Sequence, residues 1–188
     1  HVVVTINYRM GAFGFLAGNN WGTLDQICGL EWVRDHIASF GGDPGNVTIF
    51  GQSGGGAKVS TLMAMPAAKG LFHKAVVQSG SGLRMVQPED SARLAAAVLS
   101  ELGLGKSQVD KLQELPVSQL IAAMVAAGKK IPAPPPPPPG VIAPRTGWGP
   151  TVDGRILPAD PFDPTAPELS ANVPMLIGTV LNESSPSM

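Results

Sequence analysis

The sequence has 188 residues, 44% of them hydrophobic, a formal net charge of −1 and a single cysteine. That length carries one domain with a sizeable core. The balanced charge lacks the basic stripe of a nucleic-acid binder, and no run approaches the roughly 18 uninterrupted apolar residues of a membrane span. Cys28 alone excludes an intrachain disulfide and leaves the compartment open, a secreted or periplasmic location included. The chain begins without Met on an apolar run and ends at Met188 without a closing element, so both ends read as cuts within a longer protein.

Residues 2–6 (Val-Val-Val-Thr-Ile) are β-branched without interruption, the pattern of a strand covered on both faces. Glycines at 11, 14, 18 and 22 predict a loop over 7–23. Residues 25–39 have helical spacing, with Ile27, Leu30, Val33, Ile37 and Phe40 on one stripe, ended by Gly41-Gly42. A short strand over 47–50, a glycine-rich turn over 51–56, a helix over 54–65 stopped by Pro66 and a strand over 75–78 come next. This alternation predicts parallel strands with right-handed helical crossovers, an α/β architecture.

Helices over 88–102, 107–115 and 117–127 read as an insertion beside the sheet. Residues 129–147 read as a proline-rich surface loop. The run from Pro132 to Pro139, broken only by Ala133, predicts exposed polyproline II acting as a stiff spacer. One more strand is expected over 175–178, with Glu183 in the loop after it. No internal repeat is visible, and the whole of 1–188 reads as one incomplete domain.

Gly51-Gln52-Ser53-Gly54-Gly55 matches G-x-S-x-G between an expected strand and an expected helix, the context of a nucleophile elbow. Such a turn strains the serine backbone and brings flanking residues together, which calls for glycine two before and two after. It lifts the Ser53 hydroxyl above the carboxyl end of the strand and sets it at a helix N-terminus. The Gly54 amide then points where an oxyanion would form. Serine needs a base, usually His, and the base an orienting carboxylate. Two other readings compete for the motif alone. One is a plain glycine turn. The other is a phosphate loop, against which Ala57 stands where the lysine is needed and Lys58 comes one place late.

Several further stretches occur in order along nearly the whole chain. They are Val3-Val4-Thr5-Ile6-Asn7-Tyr8-Arg9, Leu24-Asp25-Gln26, Trp32-Val33, Ile37-Ala38-Ser39-Phe40-Gly41-Gly42-Asp43-Pro44 and Val47-Thr48-Ile49-Phe50-Gly51, then Gln78-Ser79-Gly80-Ser81, Val152-Asp153-Gly154 with Leu157-Pro158, and Gly178-Thr179 with Glu183. Together they make the chain resemble the type B carboxylesterases, the family that includes the cholinesterases, and so imply an α/β-hydrolase fold. The resemblance implies Ser53 as nucleophile, Gly54 as an oxyanion donor and Glu183 as the acid of the triad. It implies that the Ser79 hydroxyl supports that acid and that Arg9 and Asp25 form a structural ion pair. Taken from the residues alone, Glu183 is a loop carboxylate and Ser79 a turn serine.

The expected reaction is hydrolysis of a small-molecule carboxylic ester, with lactones or amides as alternatives and neither metal nor cofactor. Protein partners are left undefined. Gln52 and Gly54 stand where many relatives have Glu and Ala, and the lost negative charge at Gln52 argues against cationic choline esters. Met85 and Val86 would line an apolar acyl pocket or pack in the core. The resemblance also implies a glycine-rich oxyanion loop before residue 1 and a catalytic histidine after residue 188, so that the 188 residues alone are expected to be inactive. His1, His36 and His73 precede Glu183, the wrong chain order for that base. A non-catalytic binding protein on the same scaffold is the rival, against which Ser53 and Glu183 are both retained.

Overall fold

The computed structural model describes residues 1–132, 138 and 145–183. Three parallel strands, β1 (Thr48–Gln52), β2 (Lys74–Gln78) and β3 (Met175–Gly178), form one sheet in the order β1-β2-β3. The register aligns Ile49 with Ala75 and Met175, and Phe50 with Val76 and Leu176. Because side chains alternate across a sheet, these rows belong to opposite faces. The first face is closed by α3 (Gly54–Met63), which succeeds β1 directly, and by α2 (Trp21–His36). Ile49, Ala57, Val59, Leu62, Ala75 and Val77 are buried there with Met65 and Leu157. On the second face Phe50 and Leu176 are 62% and 67% exposed. The sheet is therefore covered on one face among the described residues.

The β1-α3-β2 unit matches its sequence pattern closely. The expected helix over 25–39 is α2 continued by a 3-10 turn over Ile37–Phe40, with Gly41 at φ 78 closing it. Ile27, Val33 and Ile37 are buried as the stripe requires, but Phe40 is 62% exposed.

Two expectations fail near the start. Residues 2–6 join no ladder among the described residues, and Val3 is 70% exposed. Residues 7–23 are not all loop, since α1 (Ala12–Phe15) and the first turn of α2 lie within them. Gly14 and Gly22, read as breakers, serve close packing instead. A Cβ on either would come within 2.2 or 2.3 Å of the Arg9 carbonyl oxygen.

The expected helical insertion consists of α4 (Pro88–Glu101), a 3-10 stretch over Lys106–Glu114 and α5 (Val117–Lys130). A second core cluster holds it together, with Ala95 and Val98 from α4, Leu120, Ala123 and Ala127 from α5, and Ala12 and Leu16 from the segment before α2. Lys130 pairs with Glu101 across the two helices at 2.5 Å. Most of the proline run lies outside the described residues. Among the described residues no helix is long and apolar enough to cross a membrane.

Candidate active site at the carboxyl edge of the sheet

In a parallel sheet all strands end on one side, and ligand sites of α/β proteins gather there. Ser53 comes directly after β1, Ser79 directly after β2, and Glu183 lies five residues beyond β3. The topology thus brings side chains 130 positions apart in sequence to the ends of three strands of one sheet.

Ser53 has φ 54 and ψ −117, an uncommon backbone for a residue with a side chain. Its amide donates to the Gln78 carbonyl at 2.8 Å, which prolongs the β1-β2 ladder, and its own carbonyl accepts from Ala57 at 3.2 Å, which starts α3. The change from strand to helix is therefore completed within one residue, and Ser53 stays exposed at its apex. Two glycines make this turn possible. A Cβ on Gly51 would lie 2.4 Å from the Gly55 carbonyl carbon, and one on Gly80 would lie 2.0 Å from the Ser53 carbonyl oxygen. Gly55, expected to be excluded from carrying a side chain on the same grounds, would meet nothing within 4 Å. The steric demand falls on Gly51 and on Gly80, which the pattern G-x-S-x-G does not contain.

Gly54 is the first residue of α3, so its amide has no partner within the helix. It adjoins the exposed Ser53 hydroxyl at the positive end of the helix dipole. Gln52, the last residue of β1, is exposed beside it.

Ser79 also has a positive φ, of 50, and its amide donates to the Gly178 carbonyl at 2.8 Å. This turns its side chain toward the loop after β3. There the Glu183 carboxylate accepts a hydrogen bond from Ser79 and, at 2.8 Å, one from the Val180 amide. These two bonds, that from Ser79 being the stronger influence, hold the Glu183 carboxyl below its ordinary range. It is thus an anion at neutral pH.

Arg9 and Asp25 form a bidentate pair, with Nε to Oδ2 at 2.8 Å and Nη2 to Oδ1 at 2.6 Å, while the Arg9 amide donates to Oδ2 at 2.9 Å. The pair ties the segment before α1 to α2. Met85 and Val86 are 0% and 1% exposed. The Met85 sulfur accepts from the Thr61 hydroxyl at 3.5 Å, and Val86 bridges to Thr151. Both side chains are packed among core residues here.

Among the described residues no histidine is hydrogen-bonded to Ser53. His73 Nδ1 accepts the Val47 amide at 3.1 Å, at the end of β1 remote from Ser53. His36 packs against Trp32 with ring centroids 5.3 Å apart. No group of three His, Cys, Asp or Glu is placed to hold a metal ion among the described residues.

A cavity of about 510 Å³ lies between the N-terminal segment and β1. Val4, Ile6, Tyr8, Phe50, Gly55 and Lys58 are among the residues that line it. Spacing alone makes Lys58 a misplaced phosphate-loop lysine and gives no sign of its contact with this region.

The model of the carboxylesterase family matches residues 1–188. The para-nitrobenzyl esterase of Bacillus subtilis is 40% identical over 97% of this chain and 37% of its own length. Carboxylesterase 1D of Mus musculus is 36% identical over 94% of the chain and 33% of its own. Among solved structures, a thermophilic pNB esterase superposes with a TM-score of 0.80 at 38% identity, covering 93% of this chain and 36% of that one. The fold is part of an α/β-hydrolase, a parallel sheet flanked by helices. The chain spans about a third of the length of these relatives.

Proposed function

The chain belongs to the carboxylesterase family, and from that premise we propose that the complete protein hydrolyses carboxylic esters through an acyl-enzyme on Ser53. The observation that carries this reading is the elbow itself, where an exposed serine hydroxyl at φ 54 adjoins a helix-terminal amide without a partner in its helix. In the proposed reaction the Ser53 Oγ attacks the ester carbonyl and its proton passes to a histidine base. The tetrahedral oxyanion accepts a hydrogen bond from the Gly54 amide, a type of contact worth about 10²–10³ in rate per donor. Collapse breaks the ester C–O bond, and the base returns the proton to the departing alcohol. Water then repeats the sequence on the acyl-enzyme and releases the acid.

Glu183, ionised and held by Ser79 and the Val180 amide, is proposed to orient the histidine and to balance its charge once protonated. Gln52 beside the nucleophile carries no charge, which fits neutral acyl and alcohol groups better than cationic ones.

A fluorophosphonate probe tests the nucleophile. The complete protein is expected to take up one equivalent, and Ser53→Ala to take up none and to lose at least about 10⁴ in kcat/KM toward p-nitrophenyl acetate. Undiminished labelling of the alanine variant would place the nucleophile elsewhere.

A further inference from the structure

Gly56, Ala57, Ser60 and Thr61 share one face of α3 by their i, i+4 spacing, and that face meets the loop after Ser79. A Cβ on Gly56 would stand 3.2 Å from the Gly80 carbonyl oxygen, and the Ala57 Cβ lies 3.4 Å from where a Cβ of Gly82 would be. Thr61 donates its hydroxyl to the Met85 sulfur at 3.5 Å. Ser60 itself is 0% exposed. Its hydroxyl donates to the Gly56 carbonyl at 3.3 Å and accepts the Gly82 amide at 3.3 Å. The first bond is ordinary for a serine inside a helix. The second is not, because it takes up a buried backbone donor of another segment.

The consequence lies in what that segment carries. The Ser79 amide donates to the Gly178 carbonyl at 2.8 Å, and Gly80 lies too close to the Ser53 carbonyl for a side chain. Gly82 is then fixed through Ser60. From the start of this pinned stretch the Ser79 hydroxyl reaches the Glu183 carboxylate. The helix that begins at the elbow therefore holds, about two turns on, the loop whose serine holds the acid.

We infer that Ser60 is a positioning residue for ester hydrolysis, whose hydroxyl clamps the Ser79 loop to the nucleophile helix and so sets where the Ser79 hydroxyl meets Glu183. The inference rests on the proposed roles of Ser53 and Glu183. Ser60 is fully buried and offers no surface to an ester, so its effect belongs to kcat and not to KM.

The test uses the complete protein with p-nitrophenyl acetate, with Ser53→Ala and Glu183→Gln as controls for the functional reading. Ser60→Ala is expected to lower kcat about three- to tenfold and to leave KM within about twofold. A cooperative thermal transition should remain. The Ser79 bond is the largest influence holding the Glu183 carboxyl below its ordinary range, so loosening it should move the acid limb of the kcat profile to higher pH, in the same direction as Ser79→Ala. The double variant Ser60→Ala/Ser79→Ala should be slower than Ser79→Ala by no more than about twofold, whereas independent effects would multiply.

An unchanged kcat in Ser60→Ala would overturn the inference and leave the functional reading intact. So would losses that multiply in the double variant, or a lowered kcat with an unmoved acid limb. If Ser60→Ala loses its thermal transition, Ser60→Cys keeps the site filled with only a weak acceptor and is read in the same way. Collapse of both variants would assign Ser60 to packing and overturn the inference equally. Hydrolysis that survives Ser53→Ala, or that Glu183→Gln leaves untouched, would overturn the functional reading itself.

Discussion

At the end of β1 the chain passes through Ser53 at φ 54 into α3, whereas at the end of β2 it passes through Ser79 at φ 50 into a loop. Both serines donate their amides to the next strand of the sheet, at the same 2.8 Å. The two turns differ in the element they lead into. After Ser53 a helix begins at once, so the hydroxyl stands at a positive helix end with nothing bonded to it among the described residues. After Ser79 there is no helix, and the hydroxyl is taken up by the Glu183 carboxylate. In the proposed reaction one strained turn presents a hydroxyl for attack and the other uses a hydroxyl to hold the acid. Backbone strain does not identify a nucleophile, and the element beyond the turn separates the two roles.

The largest effect short of removing Ser53 is expected at the acid. Glu183→Gln keeps the shape and removes the charge that would balance a protonated base, so kcat should fall by about 10³–10⁴ while fluorophosphonate still reaches Ser53 slowly. A loss below tenfold would move the acid elsewhere in the protein. Gly80→Ala comes next. Its methyl group would stand 2.0 Å from the Ser53 carbonyl oxygen, and backbone on both sides leaves no flexible atom to give way. A loss of several kcal/mol, on the scale of overpacking at about 1–3 kcal/mol or more, should appear in urea unfolding together with a loss of activity. Gly55→Ala, with nothing within 4 Å of the added atom, is the matched control and should be mild.

Ser79→Ala removes one of two bonds to Glu183 and should lower kcat by only about tenfold, the value of roughly one hydrogen bond to a charged group. It should also raise the acid limb of the kcat–pH profile. Ser79 is the larger cause of the depressed Glu183 pKa, so without it the carboxylate takes up its proton at higher pH. An unmoved limb would disconnect Ser79 from the acid.

The smallest effect is expected at Arg9 and Asp25, whose side chains are 51% and 23% exposed. Arg9, mainly through its side-chain hydrogen bond, depresses the Asp25 pKa. The stability from this pair is thus present above the unfolded carboxyl range and lost as pH falls through the folded value. Solvent screening limits it to at most about 1 kcal/mol. Asp25→Asn should lower the melting temperature slightly at pH 7 and not at all near pH 2.

The parallel β1-α3-β2 unit was legible because two short apolar runs flank a glycine turn and a helix of the right length. Ser53 was legible for the same reason. Glu183 was not, since a single carboxylate in a loop carries no local signal and acquired meaning only from resemblance over the whole chain. Ser79 and Gly80 were invisible as strain and as clearance, because both depend on β1 and β2 lying side by side. Gly14 and Gly22 misled for a related reason: a glycine that admits a neighbouring carbonyl looks the same in sequence as one that interrupts a helix interior, where it costs about 1 kcal/mol. Residues 2–6 have the composition of a strand, but a ladder needs a partner, and none lies beside them among the described residues.

The crossover from β2 to β3 carries α4, α5 and the proline-rich stretch, yet β3 still pairs with β2 in register from Ala75 and Met175 to Gln78 and Gly178. The spacing of neighbouring strands is set by backbone hydrogen bonds at about 4.8 Å, whatever the chain does between them. Lengthening such an excursion costs little, about 0.6 kcal/mol for each doubling. Descendants of this sequence are therefore free to rebuild the insertion while Ser53 and Glu183 keep their separation. Change in the excursion is thus uncoupled from the spacing of the strand ends, a division of labour that lets one scaffold diversify without being reinvented.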